Sequence, residues 1–464
     1  MTVKFGTSGL RGLVTGMTPT LIASYVQAFL MACDTRSVLC VGRDLRPSSP
    51  RIANNVIEAA RASGVRVIDC GTLPTPALAL AAQTAGGGAV MVTGSHIPAD
   101  RNGLKFYTVT GEITKADEET IMQHLPDVPS PQGTPGGPLS TDSSALQAYV
   151  SRYIDAFGPK ALSGQRIGVY THSAVGRDAL IQIITELGAE VIELGRSDDF
   201  IPVDTEAVDP EVRAQIKMWV KGHGLNALIS TDGDSDRPLL ADETGRIVPG
   251  DILGQITAEA LGAEVIATPI SSNSGVTQKG FDAVHLTRIG SPFVIAAMEN
   301  AQGRIVGYEA NGGFLLGFDA MGPTGPIPAL LTRDCTLPIV MTLYAGRKSI
   351  AARVSQEPPV VTIADRLQGL DPDKSKRLIE QWQKYPAARA AFLNSLGKEE
   401  LRLDLMDGVR MILTDGDVIH IRSSKNAPEL RLYLETKSHA SAYALCSEAL
   451  KLLKKHCKYR DRPC

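Results

Sequence analysis

The stretch GAVMVTGSHIPADRNGLK, residues 88–105, decides the fold. Residues 88–92 form a short apolar run, which is typical of a buried β-strand. Thr93-Gly94-Ser95-His96 follow at once, and the loop continues to Lys105. In open α/β sheets ligands bind beyond the carboxyl ends of the strands. This order therefore predicts a ligand-binding loop directly after a buried strand.

The same order of strand, helix and strand recurs along the chain. The first unit has predicted strands at 37–42, 65–69 and 88–92 and a helix at 49–63. The second has strands at 166–170, 190–194 and 226–230 and a helix at 177–187. The third, fainter unit has strands at 263–267, 283–286 and 304–307 and a helix at 293–300. Short apolar runs that alternate with helical patterns indicate parallel α/β units.

Changes of composition divide the chain into four predicted domains. Residues 126–144 are rich in Pro, Gly and Ser and indicate a linker or long surface loop. Beyond residue 355 a charged helix, alternating strands and a closing amphipathic helix predict an α+β domain. We expect three tandem α/β domains with mixed sheets plus a C-terminal α+β domain, around a central cleft. The predicted bounds are 1–145, 146–252, 253–355 and 356–464.

Composition excludes several classes of protein. A net charge of −3 gives no general attraction to nucleic acid or anionic lipid, so an anionic ligand needs locally placed Arg and Lys. The 7 cysteines are scattered without a C-x-x-C pair, which argues against a zinc site and a disulfide framework. No apolar run is long enough to cross a bilayer, and the start of the chain is polar. We expect a cytoplasmic protein, monomeric or homodimeric.

Ser95 is the candidate nucleophile of the first loop. Gly94 allows the backbone to turn, and His96 and Lys105 are candidate proton carriers or cations beside the hydroxyl. The alternative is a serine in an ordinary tight turn. The nucleophile-elbow pattern Gly-x-Ser-x-Gly is absent.

Residues 232–237, DGDSDR, form the candidate metal loop after a predicted strand. Asp232, Asp234 and Asp236 would repel one another unless a cation binds them, and oxygen ligands suit Mg²⁺ or Ca²⁺. An EF-hand is disfavoured because Arg237 takes the place of its turn glycine and a strand, not a helix, leads into the loop. A solvated acidic turn without metal is the other alternative.

Two further loops carry candidate binding residues. Glu309 and Asn311, in the turn 307–313, could hydrogen-bond two adjacent sugar hydroxyls, although an Asn-Gly turn is also ordinary. In the loop 422–431, basic and hydroxyl side chains with backbone N–H groups form a plausible phosphate cradle. A solvated basic loop is the alternative there.

These loops, in this order, resemble the α-D-phosphohexomutase family, which includes phosphomannomutases and phosphoglucomutases. Residues 4–12, KFGTSGLRG, resemble the family's N-terminal signature. The loops at 93–105, 232–237, 309–313 and 422–428 resemble its phosphoserine, metal, sugar and phosphate loops. The resemblance spans almost the whole chain.

The resemblance implies a reaction and a role for each loop. Ser95 would carry a phosphoryl group, one Mg²⁺ would be held by the three aspartates and a phosphoserine oxygen, and Arg11, Lys105 and Arg237 would neutralise charge. A hexose 6-phosphate and a hexose 1-phosphate would be interconverted through a bisphosphate, with hexose 1,6-bisphosphate as activator. The implied substrate-binding residues are Glu309, Asn311, Arg288, Arg422, Ser423, Ser424, Lys425, Asn426 and Arg431.

Some choices stay open at the level of sequence. Gly313 and Ser291 stand where family members often have histidine, so Lys105, His96 and Arg288 are all candidates for the general acid or base. The Glu-Ala-Asn-Gly-Gly form of the sugar loop resembles the phosphomannomutase branch. Phosphoglucomutase, dual-specificity or phosphoglucosamine mutase activity are alternatives within the family. A sugar phosphatase and a non-catalytic sugar-phosphate binding protein are alternatives outside it.

Overall fold

The computed structural model describes residues 3–6, 8–125, 136–423 and 429–459, apart from the side chains of residues 372 and 457–459. Packing divides the chain into two compact units. The first comprises Met1–Ala267 and Gly290–Gln356, and the second comprises Thr268–Ile289 and Glu357–Cys464. The four-domain division stays a prediction.

The first sheet contains the strand that precedes Ser95. Its strands are β1 Lys4–Phe5, β2 Leu10–Leu13, β3 Val38–Arg43, β4 Arg66–Thr72, β5 Gly88–Val92, β6 Arg101–Thr108, β7 Gly111–Glu112 and β8 Leu139–Thr141. Its helices are α1 Pro19–Ala32, α2 Ser49–Ala62, α3 Thr75–Ala85 and α4 Lys115–His124. The order β1-β2-β6-β5-β3-β4-β8 combines parallel pairs around β3 with antiparallel pairs at β6, and β7 pairs with β6. Central β3 and β5 read as continuous apolar runs because both faces of the sheet are covered.

Two predictions about this region need correction. Residues 139–141 of the predicted linker form strand β8, which pairs with β4 in parallel. Residues 126–135 lie outside the described part of the chain. Lys105, predicted to lie in the Ser95 loop, is part of β6, which returns antiparallel to β5. The polar start of β6 hides its strand character, since Asn102 and Lys105 are buried against other loops rather than solvated.

The second sheet positions the aspartate loop. Its strands are β9 Arg166–Tyr170, β10 Glu190–Leu194, β11 Ala227–Thr231, β12 Pro238–Ala241 and β13 Ile247–Val248. Helices α5 Ala145–Phe157, α6 Arg177–Glu186 and α7 Pro210–His223 belong to the same stretch of chain, and α8 Gly250–Ala260 follows β13. The order is β10-β9-β11-β12-β13, with parallel pairing of β9 to its neighbours and antiparallel pairing beyond β11. The aspartates therefore lie in the connection from β11 to β12.

The third sheet positions the predicted sugar loop. The next strands are β14 Val265–Pro269, β15 Ala283–Thr287, β16 Ile305–Tyr308, β17 Phe314–Leu316, β18 Ala320–Met321, β19 Pro326–Ile327 and β20 Leu330–Asp334, with helices α9 Ser291–Glu299, α10 Thr336–Ala345 and α11 Ile350–Val354. β14 and β16 are parallel, and β16, β17 and β20 pair antiparallel in that order. The sugar loop is thus the turn between β16 and β17.

The second unit is built on an antiparallel sheet, as the α+β prediction requires. Its strands are β21 Val361–Gln368, β22 Glu400–Asp404, β23 Val409–Leu413, β24 Val418–Ser423 and β25 Glu429–Thr436, with helices α12 Pro372–Lys384, α13 Pro386–Asn394 and α14 His439–Tyr459. The order is β21-β25-β24-β23-β22. Trp382, Phe392 and Leu432 belong to the buried core between sheet and helices. Three mixed sheets and an antiparallel C-terminal sheet confirm the predicted fold class. Within the described residues no helix combines the length and apolar character needed to cross a bilayer.

A buried carboxylate fixes the end of β20 against α5. The Tyr149 hydroxyl lies 2.7 Å from Asp334 Oδ1, and the Tyr153 hydroxyl donates to Asp334 Oδ2. Burial and the neighbouring Asp334 charge raise the pKa of both tyrosines well above the usual value, so both hydroxyls keep their protons. The two tyrosines therefore satisfy a charge that would otherwise be costly to bury.

Tyr153→Phe should destabilise the protein while leaving the packing of the ring in place. A hydrogen bond to a charged group contributes about 1.5–3 kcal/mol, so we expect a lower midpoint in urea denaturation. Tyr443→Phe is the control, because that side chain is 60% exposed. Equal midpoints for Tyr153→Phe and the wild type would contradict the role assigned to Asp334.

Candidate active site

Ser95 begins the turn after β5 in a strained backbone conformation. Its φ is 53°, in the left-handed region that few non-glycine residues occupy. The Ser95 amide donates to Thr93 Oγ1 at 2.8 Å, which closes the turn. The side chain is fully buried, and its hydroxyl lies 2.6 Å from Asp232 Oδ2. The turn thus directs the predicted nucleophile at the predicted metal loop.

Arg46 holds this turn, and sequence reasoning missed it. Its guanidinium donates to the carbonyl oxygens of Ser95 at 2.9 Å, Ile97 at 2.5 Å, Pro98 at 2.8 Å and Arg101 at 3.0 Å. Four carbonyls of one loop therefore point at one side chain. Only the planar guanidinium has enough donors in a fixed fork to satisfy them together.

The surroundings of Arg46 explain why the loop needs Gly94. A Cβ at position 94 would lie 2.6 Å from Arg46 Cζ. Arg46 is also buried beside Asp44, 3.2 Å away, and stacks 3.9 Å above the Phe200 ring. The available signal was a charged Asp-x-Arg pair directly after the buried strand β3.

The three aspartates come together as predicted. Asp232, Asp234 and Asp236 are fully buried, and one carboxylate oxygen of each lies within 4.8 Å of the others. Strand β11 leads into the loop and strand β12 leads out, which confirms that it is not an EF-hand. Ser235, at φ 56°, accepts a hydrogen bond from the Gly176 amide at 2.9 Å, which anchors the middle of the loop.

Lysine and arginine side chains surround the aspartates. Lys105 Nζ donates to Asp234 Oδ2 at 2.5 Å and also to Asp236 Oδ2. Arg333 Nη2 lies 2.9 Å from Asp236 Oδ2. The ring of charge is therefore assembled from β6, the metal loop and β20.

Burial and charge set the protonation of this cluster. Burial and the charges of Asp234 and Asp236 raise the pKa of Asp232 well above its usual value. Burial acts in the same direction on Asp234, but Lys105 outweighs it and lowers the pKa of that carboxyl. Burial and the nearby Arg237 lower the pKa of Arg11 to about 10. Arg11 therefore stays cationic at neutral pH.

His96 lies between Ser95 and Arg237. Its Nδ1 lies 3.0 Å from Arg237 Nη1 and 3.2 Å from Ser95 Oγ. A guanidinium donates hydrogen bonds but cannot accept them, so Nδ1 is the acceptor and carries no proton. The lone pair of Nδ1 is therefore directed at Arg237, while the Ser95 hydroxyl donates to Asp232.

The aspartate loop fits a divalent metal ion. Within the described part of the chain, Oδ1 of Asp234 and Oδ1 of Asp236 are buried without a hydrogen-bond partner. Such buried oxygens are costly unless a cation or donor meets them. Carboxylate oxygens are the ligands that hard cations such as Mg²⁺ prefer. The donor set therefore matches the predicted metal.

The predicted sugar loop reaches the same cluster. Glu309 and Asn311 are both buried, and the loop is closed by hydrogen bonds from the Gly313 amide to Asn311 Oδ1 and from the Glu309 amide to the Gly313 carbonyl. Glu309 Oε2 lies 3.5 Å from Arg333 Nη1. One arginine thus lies between the sugar loop and the metal loop, and sequence reasoning missed it too.

The remaining predicted residues belong to the second unit. Arg422 and Arg431 are register partners on β24 and β25, and Arg366 of β21 extends the row. Asp407 accepts from the Ile289 amide at 3.0 Å and lies 3.9 Å from Arg422, so the segment that carries Arg288 lies near this row. Ser423 ends β24, whereas Ser424, Lys425 and Asn426 lie outside the described residues. The roles of all these residues stay predictions.

Comparisons with known proteins identify the family of this chain. Residues 2–130 match the model of phosphoglucomutase/phosphomannomutase α/β/α domain I, and residues 147–245 match that of domain II. A phosphomannomutase of Sinorhizobium fredii is 41% identical over 97% of this chain and 98% of its own. One of Salmonella muenchen is 40% identical over 97% and 96%.

Solved structures show the same fold. A phosphoglucomutase/phosphomannomutase family protein of Burkholderia thailandensis superposes with a TM-score of 0.77 at 20% identity, over 99% of both chains. The open form of a Paramecium phosphoglucomutase, parafusin, gives a TM-score of 0.71 at 17% identity, over 100% of this chain and 97% of its own. The chain belongs to the phosphoglucomutase/phosphomannomutase family, the α-D-phosphohexomutases, as its motifs predicted.

Arg46→Lys should loosen the Ser95 turn without unfolding the sheet. A lysine keeps the charge but cannot meet four carbonyls, and each lost hydrogen bond costs about 0.5–1.5 kcal/mol. We expect amide hydrogen exchange across residues 95–101 to rise by about 10-fold or more. The matched control is Arg51→Lys, an exposed arginine that also donates to a backbone carbonyl. Unchanged exchange in Arg46→Lys would refute the assigned role.

Proposed function

We propose that this chain interconverts mannose 6-phosphate and mannose 1-phosphate through a phosphoryl group carried on Ser95. The observation that carries the proposal is that the buried Ser95 hydroxyl lies 2.6 Å from Asp232 Oδ2 of the aspartate cluster. The backbone of Ser95 is strained, which fixes the hydroxyl in this direction. The sugar is chosen because two relatives at 40% and 41% identity over nearly the full chain are named phosphomannomutases.

The reaction has two balanced halves. First, a sugar hydroxyl attacks the phosphorus on Ser95: the sugar O–P bond forms, the Oγ–P bond breaks, a base takes the hydroxyl proton, and Ser95 Oγ gains a proton. The product is a hexose 1,6-bisphosphate. In the second half the Ser95 hydroxyl gives up its proton and Oγ attacks the other phosphoryl group: the Oγ–P bond forms, the sugar O–P bond breaks, and the leaving sugar oxygen gains a proton. Added hexose 1,6-bisphosphate would phosphorylate Ser95 of a dephosphorylated enzyme through this second half of the reaction.

Positive side chains stabilise the transferring group. Phosphoryl transfer depends mainly on positioning and on cations at the equatorial oxygens. Arg237 lies beside His96 at the Ser95 hydroxyl, and Arg11 is close enough to respond to the charges of Asp234 and Asp236. Arg11 Nη1 has no hydrogen-bond partner among the described residues, so it can donate to a phosphoryl oxygen.

We propose His96 as the proton acceptor, a role open to Nδ1 once Arg237 turns from it to the transferring phosphoryl group. Its Nδ1 lies 3.2 Å from Ser95 Oγ. Lys105 is engaged by two carboxylates, which makes it a charge partner rather than a base. A positioned base of this kind accelerates proton transfer by about 10²–10⁴-fold.

Asp232, Asp234 and Asp236 would hold Mg²⁺ together with an oxygen of the Ser95 phosphoryl group. The ion, when bound, would neutralise charge on the transferring phosphoryl oxygens. The cluster already contains opposing charges in near balance. The carboxylates are those of Asp232, Asp234, Asp236, Glu112 and Glu309, and the cations are Lys105, Arg11, Arg237 and Arg333. A phosphoryl group of about −2 and a divalent cation entering together leave that balance unchanged.

Two other parts of the chain would bind the rest of the substrate. We assign the sugar hydroxyls to Glu309 and Asn311, which lie buried in the turn between β16 and β17. We assign the non-reacting phosphate to Arg422, Arg431 and their loop, where Arg366 adds a third cation to the row. Ser423, Ser424, Lys425, Asn426 and Arg288 complete the proposed set.

Ser95→Ala should abolish conversion of mannose 1-phosphate to the 6-phosphate in a coupled assay with Mg²⁺ and a trace of glucose 1,6-bisphosphate. The loss follows because no atom remains to carry the phosphoryl group. Glucose 1-phosphate is run in parallel, and we expect mannose 1-phosphate to be preferred by about 10-fold, which is the discrimination that a single altered group typically provides. Ser63→Ala, at the end of α2, is the control.

The same assay separates the alternatives. A reversed ratio of rates would replace the mannose assignment by phosphoglucomutase activity. Release of inorganic phosphate from either sugar without isomerisation would favour a phosphatase. Full activity in Ser95→Ala would overturn the mechanism.

Mg²⁺ should bind the phosphorylated protein about 10-fold or more tightly than the dephosphorylated protein. The reason is that an unphosphorylated site would gain two positive charges beside Lys105, and couplings between sites of this kind reach 5–150-fold. Titration calorimetry on the two forms, separated and verified by intact mass, gives both affinities. Equal affinities would show that the phosphoryl group takes no part in the metal site.

A further inference from the structure

Arg333 contacts four separate segments of the first unit. Its side chain is buried, and Nη2 lies 2.9 Å from both Asp236 Oδ2 and Ser8 Oγ. Nη1 lies 3.5 Å from Glu309 Oε2, and Nη2 lies 3.5 Å from Glu112 Oε1. The metal loop, the sugar loop and the N-terminal signature thus share one guanidinium.

The backbone that carries Arg333 is held in place from behind. The next residue, Asp334, accepts from the hydroxyls of Tyr149 and Tyr153 of α5. In addition, the Cys335 thiol donates to the Ser235 carbonyl at 3.0 Å, inside the metal loop. Strand β20 is therefore fixed to α5 and to the metal loop next to the arginine.

Gly313 provides the space through which Arg333 passes. A Cβ at position 313 would lie 2.9 Å from both Cγ and Cδ of Arg333. This is closer than non-bonded carbons approach, so any side chain there would push the arginine stem away. The glycine at the end of the sugar loop and the arginine of β20 therefore depend on each other.

We propose that Arg333 is a positioning residue, which fixes the sugar-binding carboxylate of Glu309 in register with the metal ligand Asp236. The inference rests on the proposed function, because it assigns the sugar to Glu309. Arg333 is suited to this role since a guanidinium offers donors in two fixed directions, whereas an ammonium is a single point of charge. The Nη1 and Nη2 groups serve the two loops separately.

Arg333→Met and Arg333→Lys test the proposal. We expect kcat/KM to fall by about 10²-fold in the Met variant, because misplacement of substrate by about 1 Å has this effect. In this variant KM for the sugar phosphate should rise and kcat should fall. The Lys variant should fold and bind Mg²⁺ as the wild type does, because lysine can hold Asp236. Its KM should stay close to that of the Met variant, because lysine cannot also reach Glu309.

A double-mutant cycle identifies the partner through which Arg333 acts. Glu309→Gln, Arg333→Met and the double variant are compared by kcat/KM. If Arg333 positions Glu309, the double variant should be within about 3-fold of the worse single variant, because coupled residues are not additive. If the kcat/KM losses of the two single variants multiply in the double variant, the proposal is overturned. A wild-type KM in folded Arg333→Lys would overturn it too.

Two further variants complete the experiment. Gly313→Ala should raise KM in the direction of Arg333→Met by displacing the arginine stem, and a wild-type KM would contradict the dependence of one residue on the other. Arg304→Met is the matched control, because this arginine carries an exposed ion pair with Glu264 in the same part of the chain. Thermal melts of every variant show which proteins are folded.

Binding measurements keep this proposal separate from the proposed function. Titration calorimetry of mannose 6-phosphate needs no turnover. Wild-type binding without conversion would refute the mutase function, and the cycle would then be carried out on Kd with the same criteria. Equal Kd for wild type and folded Arg333→Met would overturn the positioning role itself.

Discussion

The structure depends on the cost of burying three carboxylates in one short loop. Asp232, Asp234 and Asp236 are fully buried, and removing such charges from water is prohibitive unless cations accompany them. Lys105 from β6 and Arg333 from β20 meet that requirement from separate sheets. The metal loop is thus stable only where several elements converge, which links the assembly of the first unit to the formation of its active site.

The same convergence explains how chemistry and fold support each other. The Ser95 turn is strained, and Arg46 holds it through four carbonyls while Asp232 meets the hydroxyl. Cations that stabilise the buried carboxylates also lie where a transferring phosphoryl group develops charge. Electrostatic preorganisation therefore comes from groups that folding has already fixed, and no rearrangement of charge is needed at the moment of transfer.

The sequence predicts those site residues that lie together in one continuous loop. Ser95, the three aspartates and Glu309 follow strands directly, so their position at the ends of the sheet strands could be inferred. Arg46 and Arg333 escaped because their roles arise from contacts between distant segments. The strand character of β6 was hidden by Asn102 and Lys105, which are buried because partners from other elements satisfy them.

The proposed mechanism depends on direct transfer of the phosphoryl group from Ser95 to the sugar. A single-turnover experiment with ³²P-labelled phosphoprotein and excess unlabelled mannose 6-phosphate, quenched at millisecond intervals, tests it most directly. We expect the label to leave Ser95 and to appear first in a hexose 1,6-bisphosphate, then in a hexose monophosphate. Label that appears as inorganic phosphate, or that stays on the protein while sugar is converted, would contradict it.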